Sequence, residues 1–334
     1  MTPRVSVIVP CRNEAKTIHL LLDALLEQDF PLQDMEVVIA DGLSDDGTIE
    51  AISAFQARHP QLALKVVQNK KRVIPSGLNR AIEAARGKYI VRMDAHSVPE
   101  PHYVSRSVAA LDAGIAENVG GVWQIRPQNH GWAARSIAAA AASPVGVGDA
   151  QYRYSSTAAY VDTVPYGAYA RDYIQSLGAY DETLLSNEDY ELNTRIRQAG
   201  GRVWMDPAIS CVYFARATFA DLARQYWRYG FWKNQMLKRY PSTLRWRQAL
   251  PPLFVLGILF LLLLGLFWRP AWMVLALGLA FYLLVLLAAG VALALKKRDI
   301  LLAAGVPLAI ITMHFSWGTG FLAGLFARSA QRRA

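Results

Sequence analysis

The chain has 334 residues, enough for a full-sized core and more than one domain. Its net charge of +9 could favour nucleic acid, but zinc-finger spacing, an RNP-like strand and a lysine-rich arm are missing from the sequence. A basic face toward anionic lipid explains the charge better than a nucleic acid does. The two cysteines, Cys11 and Cys211, are typical of a reduced cytosolic domain and do not form a metal-ligand cluster.

Apolar strand-like runs alternate with helix-like runs over the first hundred residues. In chain order these runs are residues 5–9, 15–27, 36–40, 48–58, 64–67, 75–86 and 89–93. Pro75 at the start of the last helical run and Gly87 after its end are typical helix boundary signals. The strand–helix alternation predicts an α/β, Rossmann-like domain with a mostly parallel sheet and helices on both faces.

Three segments between this region and the apolar tail have different compositions. Residues 118–124 predict a further strand, whereas residues 130–156 are rich in Ala, Gly and Ser without a clear period and predict a partly mobile connection. Residues 219–240 carry aromatic and apolar side chains every three or four positions, with basic residues beside them. That pattern favours an amphipathic interfacial helix and a helix packed on the sheet about equally.

Three long apolar runs follow in chain order, at residues 250–268, 271–295 and 300–326. Since about 20 helical residues cross a bilayer, each run predicts a transmembrane helix. With the preceding domain in the cytosol, the basic residues 296–298 lie inside, as the positive-inside rule requires. A third crossing would place Arg328, Arg332 and Arg333 outside, against that rule. Because Pro307 also interrupts the last run, a broken or re-entrant third segment remains an alternative.

Polar loops follow the first two predicted strands, at residues 10–14 and 41–48. Because the carboxyl ends of neighbouring parallel strands meet at one edge of a sheet, these loops predict a shared ligand crevice. The sequence contains neither G-x-G-x-x-G nor Walker A, which disfavours a nicotinamide cofactor or ATP in a P-loop. Asp41 can accept a hydrogen bond from a base or a ribose hydroxyl. Residues 45–48 could also be a simple turn and helix N-cap.

The predicted strand at residues 89–93 runs directly into Asp94, Ala95 and His96. A carboxylate and an imidazole two residues apart can both reach one divalent cation from such a turn. An isolated Asp-x-His is more often an ordinary polar strand end, so the pair needs the support of the other motifs. No further His or Asp is singled out by its spacing as a third ligand.

Together these residues resemble the family-2 glycosyltransferases, inverting enzymes with the GT-A fold. The matching residues occur in the family's order: residues 5–10 with Asn13 and Glu14, Asp41 with residues 46–48, Leu78 and Asn79, residues 87–90, and residues 94–96. The resemblance covers about residues 3–245. It implies a GT-A catalytic domain that binds a nucleotide-sugar together with a divalent metal.

The resemblance also implies which residues hold the donor: Pro10, Arg12, Asn13, Glu14, Asp41, Asn79, Asp94 and Ala95. Within this set, Asp41 should contact the uracil or the ribose, and Asp94 should contact the ribose, the diphosphate and the metal. His96 stands where the family usually has a second Asp, and it should be a metal ligand beside Asp94. Imidazole suits Mn²⁺ at least as well as Mg²⁺, so the metal requirement should lean toward Mn²⁺.

An acidic pair, Glu188 and Asp189, resembles the family's Glu-Asp motif at the start of a helix. Asp189 matches the catalytic base, a carboxylate that takes the proton of the acceptor hydroxyl during in-line attack. A second carboxylic acid is not needed, because the leaving group is a metal-held diphosphate. Without the family context, the helix dipole alone would explain an acidic helix start equally well.

Residues 225–229 resemble the Gln-x-x-Arg-Trp signature of cellulose and hyaluronan synthases, with Tyr229 in place of Trp. The resemblance implies that Gln225, Arg228 and Tyr229 help to bind the acceptor and the diphosphate. The Tyr229 replacement and the small number of spans argue against a processive synthase with a polysaccharide channel.

Within the family, residues 143–148, 152–155, 162–167 and 225–233 are similar to the ExoA-like succinoglycan glucosyltransferases of exopolysaccharide biosynthesis. This similarity implies a UDP-sugar donor, a polyprenyl-diphosphate-linked oligosaccharide acceptor and a multi-pass location in the bacterial inner membrane with a cytosolic catalytic domain. The expected partners also include the lipid bilayer, further copies of the chain or other polysaccharide enzymes. The implied domains are a GT-A domain (1–215), an interfacial region (216–245) and a membrane domain (246–334).

Three other functions are compatible with parts of the sequence. A polyprenyl-phosphate glycosyltransferase would use the lipid phosphate itself as acceptor and would need less general-base help. A non-catalytic sugar-nucleotide sensor or scaffold should have degraded motifs, whereas Asp41, Asp94 and Asp189 are all present. A small transporter is disfavoured because the first two apolar runs contain no charged residue apart from those that flank them.

Overall fold

The computed structural model describes residues 2–327 and divides the chain into two compact units. The first unit comprises the residues up to Gln124 together with Ser155–Tyr213, and the second comprises Ile125–Tyr154 and the residues from Phe214 onward. The helices in chain order are α1 (Ile18–Leu26), α2 (Thr48–Arg58), α3 (Ile74–Ala84), α4 (Tyr103–Asp112), α5 (Trp132–Ala141), α6 (Pro144–Val147), α7 (Arg171–Ser176), α8 (Glu188–Gln198), α9 (Phe219–Leu237), α10 (Trp246–Leu264), α11 (Pro270–Lys297) and α12 (Leu302–Phe326).

One sheet organises the first unit. Its strands in chain order are β1 (Val5–Cys11), β2 (Met35–Asp41), β3 (Ala63–Gln68), β4 (Tyr89–Arg92), β5 (Val98–Pro99), β6 (Asn118–Pro127), β7 (Ala159–Tyr160), β8 (Ala168–Ala170) and β9 (Val203–Ala215). They lie in the order β3-β2-β1-β4-β8-β6-β9-β5, with β7 paired to β9. Strands β1 to β4 pair in parallel, whereas β8 runs antiparallel to β4 and β6, and β9 runs antiparallel to β5 and β7. The predicted α/β class is confirmed.

The parallel strands are in a register that brings their carboxyl ends to one edge. Cys11 of β1 pairs with Asp41 of β2, and Ile8 of β1 pairs with Arg92 of β4. Strand β4 therefore ends three positions earlier along the sheet than β1 does, which leaves room for residues 93–96 beside the loop after β1. The side chains of β1, β2 and β4 are almost all buried on both faces, as expected for a parallel sheet covered by helices, whereas those of the edge strand β3 are largely exposed.

A buried carboxylate joins α3 to this sheet. Glu36 of β2 accepts hydrogen bonds from Ser6 Oγ at 2.6 Å, from Arg86 N at 2.6 Å and from Arg86 Nε at 3.0 Å. Gly87 follows directly, and a Cβ at this position would lie 2.6 Å from the backbone nitrogen of Ser6. A glycine is therefore needed here, three residues after the end of α3, because the chain passes directly against β1.

The prediction of a partly mobile connection at residues 130–156 is wrong in its description of the backbone. This segment contains α5 and α6, both in the second unit. Alanine has the highest helix propensity, and the alanines of α5 are buried almost throughout. With only two polar side chains, Arg135 and Ser136, α5 shows little alternation of polar and apolar residues in the sequence.

The second unit contains the apolar helices at the end of the chain. Helices α10, α11 and α12 are each long and apolar enough to cross a membrane, and no other helix within residues 2–327 meets that description. Helix α10 begins at Trp246, earlier than the apolar run itself, and contains Pro251 and Pro252. Helix α9 packs closely on α12: a Cβ on Gly230 would lie 2.2 Å from the carbonyl oxygen of Trp317.

Candidate active site

Two loops at the carboxyl edge of the sheet are cross-linked through side chains. Asn13 donates through Nδ2 to Asp45 Oδ1 at 3.0 Å, and its own Oδ1 accepts from the backbone nitrogen of Asp45 at 3.1 Å. The backbone nitrogen of Asn13 donates to Ser44 Oγ at 2.9 Å. Asn13 and Leu43 adopt left-handed backbone conformations with φ of 56° and 58°. The hydrogen bonds between the loops therefore stabilise backbone shapes that these residues rarely adopt alone.

A second set of hydrogen bonds joins the same two loops near the start of α2. Asp46 accepts from the backbone nitrogens of Ala15 and Thr48, both at 3.1 Å. Thr48 Oγ1 in turn accepts from the backbone nitrogen of Glu14 at 2.8 Å. These bonds hold Asp46 in its charged form and lower its pKa, with the Thr48 hydroxyl as the main cause. The turn and helix start predicted for residues 45–48 thus also connect the two loops.

Asp41 ends β2 and is largely buried. Its Oδ1 accepts from Ser44 Oγ at 2.6 Å, and its Oδ2 accepts from the backbone nitrogen of Ser44 at 3.1 Å. Next to it, Arg12 is exposed, and its side chain covers Gly42, where a Cβ would lie 3.1 Å from Arg12 Cβ. Pro10 lies near the start of α3, with its Cβ 3.3 Å from the position of a Cβ on Gly77.

Asn79 is a predicted donor-binding residue, but its side chain is hydrogen-bonded to Tyr180 and Glu182. Its Nδ2 donates to the carbonyl of Tyr180 at 2.9 Å and to Glu182 Oε1 at 3.0 Å, and its Oδ1 accepts from the backbone nitrogen of Tyr180 at 2.9 Å. These bonds tie α3 to the chain ahead of α8. Ala95 is buried between Asp94 and His96. Contact of either residue with the donor remains a prediction.

Asp94 and His96 lie in the turn after β4, with 25% and 40% of their side chains exposed. Nδ1 of His96 lies 2.9 Å from Oε1 of Glu14, in the loop after β1. With Nδ1 as the donor to Glu14, Nε2 is the ring nitrogen that would bind a metal. Glu14 is predicted from the sequence to bind the donor. In the structure it is the hydrogen-bond partner that orients His96.

This arrangement fits a divalent metal of the kind that the resemblance implies. Metal-binding histidines usually donate their other ring nitrogen to a carboxylate, as His96 does to Glu14. Within residues 2–327, no three His, Cys, Asp or Glu side chains are grouped closely enough to hold an ion by themselves. Ions in nucleotide sites commonly have only one or two protein ligands and take the rest from phosphate oxygens and water. Asp94 and His96 suit such a shared site.

Arg92 connects Asp94 with the predicted catalytic pair. It is the last residue of β4, and its guanidinium, only 3% exposed, lies 3.2 Å from Asp94 Oδ1 and 3.1 Å from Glu188 Oε1. It also forms an ion pair with Asp189. The guanidinium lies 5.6 Å from the ring centre of Tyr166, within the range of a cation–π contact. One buried cation thus brings three carboxylates together at the end of β4.

The charges in this cluster shift one another's protonation. Burial alone would lower the pKa of Arg92, but Asp189, Asp94 and Glu188 together raise that pKa above its ordinary value, so Arg92 remains charged. Burial raises the pKa of Asp189 to about 7, with Glu188 and Asp94 adding to the rise and Arg92 opposing it. A carboxyl with such a pKa can accept a proton near neutral pH.

Helix α8 holds Glu188 and Asp189 in its first turn, as the motif predicted. Further along the helix, the fully buried Glu191 pairs with Arg195 at 2.7 Å, and Arg195 donates to the carbonyls of Leu177 and Ala179. Asn193 donates to Thr163 Oγ1 at 2.8 Å. These buried bonds fix the direction of α8 and with it the position of its first turn.

Sequence reasoning missed Arg92 as a site residue. The available signal was a cation inside an otherwise apolar strand run, two positions before Asp94, because a buried arginine requires carboxylate partners.

The predicted acceptor residues Gln225, Arg228 and Tyr229 lie on α9, in the second unit. Gln225 Nε2 donates to Tyr229 Oη at 2.9 Å, one helical turn away, and Arg228 is exposed. The structure therefore brings Gln225 and Tyr229 together, and the acceptor role of all three residues remains a prediction.

Comparisons with known proteins identify the family of the chain. Residues 6–178 match the model of the glycosyl transferase family 2. The succinoglycan biosynthesis protein ExoA of Rhizobium meliloti (strain 1021) is 31% identical over 94% of this chain and 93% of its own length. The chain belongs to glycosyl transferase family 2, and it is a glycosyltransferase.

Three further similarities concern a second relative and two solved structures. A dolichyl N-acetyl-α-D-glucosaminyl phosphate 3-β-D-2,3-diacetamido-2,3-dideoxy-β-D-glucuronosyltransferase of Methanococcus voltae is 26% identical over 96% of this chain and 97% of its own length. The mannosyltransferase PcManGT of Pyrobaculum calidifontis, solved with GDP-Man and Mn²⁺, has a TM-score of 0.62 at 24% identity, over 94% of this chain and 87% of that one. Staphylococcus aureus TarS 1-349, solved with UDP-GlcNAc, has a TM-score of 0.53 at 20% identity, over 97% and 93%. These similarities confirm the GT-A-like fold.

Proposed function

We propose that this protein is a membrane-anchored, inverting glycosyltransferase of exopolysaccharide biosynthesis. It transfers a sugar, for which we favour glucose, from a UDP-sugar to a hydroxyl of a polyprenyl-diphosphate-linked oligosaccharide at the cytosolic face of the bacterial inner membrane. The observation that carries the proposal is the junction at Arg92, which joins the candidate metal ligand Asp94 to the candidate base Asp189. The domain limits expected from the sequence (1–215, 216–245 and 246–334) are part of the proposal.

The donor side is formed by the cross-linked loops after β1 and β2. Asp41 is held by Ser44 at the end of β2, in a position to accept from the uracil or the ribose. The loop residues around Asn13 and the exposed Arg12 border the same edge. Asp94 and His96 would hold a divalent metal, Mn²⁺ or Mg²⁺, which when bound supplies positive charge to the diphosphate of the leaving UDP.

The chemical step requires one base. The carboxylate of Asp189 accepts the proton of an acceptor hydroxyl while that oxygen forms its bond to the anomeric carbon. The bond from the anomeric carbon to the diphosphate oxygen breaks, and its electron pair leaves with UDP, which inverts the configuration. Arg92 holds Asp189 and Glu188 in place from the sheet side, so that the base is fixed relative to Asp94. Arg92 is a positioning residue in this scheme.

The relatives support the acceptor assignment. One is a succinoglycan biosynthesis protein, and another acts on a dolichyl phosphate that carries a sugar. Gln225, Arg228 and Tyr229 on α9 would meet the acceptor, in a helix that precedes the apolar helices along the chain. A lipid-linked acceptor is consistent with a transferase that carries three helices long and apolar enough to cross a membrane.

The decisive experiment compares wild type with Asp189→Asn in detergent, using a panel of UDP-sugars with and without a lipid-linked oligosaccharide. The variant should lose transfer by about a hundredfold or more, since general-base contributions are typically 10²–10⁴-fold. Calorimetric binding of UDP should persist. Asp172→Asn is the matched control, because Asp172 on α7 is 91% exposed, and it should retain transfer.

Three results would contradict the proposal in different ways. Full transfer by Asp189→Asn would remove Asp189 as the base. Radiolabel on plain undecaprenyl phosphate, without an oligosaccharide, would instead identify a polyprenyl-phosphate glycosyltransferase. UDP binding without any transfer to any acceptor would favour a sugar-nucleotide-binding scaffold.

A further inference from the structure

We propose that α12 does not cross the bilayer but lies along its cytosolic surface, so that the chain crosses the membrane only twice. By length and composition α12 could span, like α10 and α11. Within the second unit α12 packs on α10 and α11, but it also contacts, along its whole length, α5, α6 and α9, which precede the first apolar helix in the chain. Helix α12 therefore lies in the headgroup region of the bilayer rather than in its hydrocarbon core.

The beginning of α12 is attached to α5. Asp299, in the turn before α12, pairs with Arg135 of α5 at 2.7 Å. At Gly305, in the first turn of α12, a Cβ would lie 1.9 Å from Oγ of Ser136, so the Ser136 side chain of α5 packs directly on the backbone of α12. Arg135 and Asp299 are charged and require an aqueous or headgroup environment.

The end of α12 is attached to α9. Nζ of Lys238, directly after α9, donates to the carbonyl of Gly324 at 3.0 Å and to that of Ala327 at 2.6 Å. Gln235 of α9 donates to the same Gly324 carbonyl at 2.8 Å. A lysine that satisfies the last carbonyls of a helix stabilises its negative end, and its charge again belongs at the membrane surface.

The middle of α12 contacts α6 and α9 as well, together with the first turn of α10. A Cβ on Gly320 would lie 2.1 Å from the carbonyl of Trp227, and Trp317 donates through Nε1 to the carbonyl of Gln248 in the first turn of α10 at 3.1 Å. Met313 reaches Gly146 of α6, with its Cε 3.4 Å from the position of a Cβ there. Helix α12 is thus in contact with α5, α6 or α9 from its beginning to its end.

A spanning helix cannot satisfy these contacts. With 25 residues, α12 is roughly 37 Å long, so a crossing would put its two ends on opposite sides of the membrane. Helices α5 and α9 lie on the same side, because no candidate span occurs between them in the described chain. Since one end of α12 is attached to α5 and the other to the end of α9, both ends face that side.

This placement removes a conflict in the charge pattern. Arg328, Arg332 and Arg333 lie outside the described residues, and a third crossing would have carried them to the outer side against the positive-inside rule. With two crossings they stay on the side of Lys296 and Lys297. That this side is the cytosol rests on the proposed function.

The test is the sidedness of the C-terminus in the full-length protein. A C-terminal epitope should be bound by antibody in inside-out membrane vesicles and protected in spheroplasts. Two single-cysteine variants in a Cys11→Ser, Cys211→Ser background calibrate the sides with a membrane-impermeant maleimide. Phe267→Cys, between α10 and α11 and 90% exposed, should react only from outside, and Arg298→Cys, before α12, only from inside.

The outcomes separate the two hypotheses. An epitope on the side opposite to Arg298→Cys shows that α12 crosses, which overturns the proposal. An epitope on the same side as Arg298→Cys, with both of them outside, keeps α12 at the surface but refutes the cytosolic placement of the proposed function. An epitope and Arg298→Cys both inside support both hypotheses. Antibody binding after detergent permeabilisation verifies that the epitope is present in every preparation.

Discussion

Arg92 is the residue on which the geometry of the candidate site depends most. It is almost fully buried, and it contacts Asp94, Glu188 and Asp189 from the end of a central strand. Removing one partner of a buried ion pair leaves the other charges uncompensated, at a cost of about 3–5 kcal/mol. A change at Arg92 should therefore disturb the position of the base as well as the local stability.

Arg92→Met should lower kcat by about a hundredfold, because small displacements of a catalytic group cost about that much. Arg92→Lys keeps a cation and should recover part of the loss, and the KM for the UDP-sugar should change less than kcat in both variants. Steady-state kinetics with a lipid-linked acceptor measures these values. The matched control Arg80→Met removes a 58% exposed arginine on α3 and should behave as wild type. A purely structural role would be indicated by equal losses in the Lys and Met variants.

The raised pKa of Asp189 predicts a pH dependence with a definite sign. The base must be deprotonated to act, and burial favours its neutral form, so kcat/KM should rise with pH and reach half its maximum near the pKa of about 7. An ordinary aspartate would give this midpoint near 4. A pH–rate profile between pH 5 and 8.5, with UDP binding measured in parallel, checks the expectation. A flat profile with constant UDP binding would contradict the protonation state assigned to the base.

The individual site residues were predictable only where their chemistry has a local signature. Asp41, Asp94 and Asp189 stand at strand ends or a helix start, positions that the sequence pattern marks directly. The contact between Glu14 and His96 joins residues 82 positions apart, and no local pattern encodes it. Arg92 is similar, since its partners on α8 become neighbours only through the pairing of distant strands.

Among the elements, the contact between α9 and α12 depends most strictly on residue size. Glycines at 230, 320 and 324 allow backbone approach, and any Cβ at Gly230 would collide with the carbonyl of Trp317. The close approach resembles the small-residue packing common between helices in membranes. Side chains larger than that of glycine therefore do not fit at these positions of the second unit.

Gly230→Leu should therefore lower the thermal stability of the protein in detergent by several degrees, since overpacking of a tight contact costs about 1–3 kcal/mol or more. Gly278→Leu is the control, because no atom lies within 4 Å of a Cβ at that position of α11. Melting curves followed by intrinsic tryptophan fluorescence measure the difference. Equal midpoints for the two variants would show that α9 and α12 are not packed at their backbones.

The elements of the first unit follow from hydrophobic periodicity and boundary residues. Helix α2 has the limits that its pattern predicts, Thr48 to Arg58, because Gly47 in a left-handed conformation starts it and His59 ends it. Helix α5 could not be predicted in this way, because its mostly buried alanines and only two polar side chains give little alternation in the sequence. The short strands β5, β7 and β8 have two or three residues each, too few for any alternation to be visible.

At the scale of the whole molecule, ligand binding should be coupled to the stability of the first unit. The two candidate metal ligands, Asp94 and His96, need phosphate oxygens to complete an ion's coordination, so metal and nucleotide should bind together. A ligand present at a hundred times its Kd stabilises the folded state by about 2.7 kcal/mol. Only the metal ion and the nucleotide together should stabilise the folded state by this amount.

UDP with Mn²⁺ should thus raise the melting temperature by more than the sum of the shifts that each ligand gives alone. His96→Gln should remove most of this synergy, and Glu14→Gln should weaken Mn²⁺ binding by about 10–100-fold, as expected for a residue that orients a metal ligand. His102→Gln, on an exposed histidine paired with Asp29, should leave the synergy unchanged. Additive shifts in the wild-type protein would argue against a shared metal and diphosphate site.

The cross-linked loops after β1 and β2 have a thermodynamic consequence for donor binding. Asn13 and Leu43 already occupy left-handed conformations, and the bonds of Asn13 to Asp45 and of Glu14 to Thr48 join the two loops. The entropy of ordering these residues is lost when the protein folds, so the nucleotide meets a preformed cradle. Calorimetry should accordingly show UDP association with little conformational-entropy penalty and a nearly constant loop structure. An enzyme built in this way recognises its nucleotide by rigid fit.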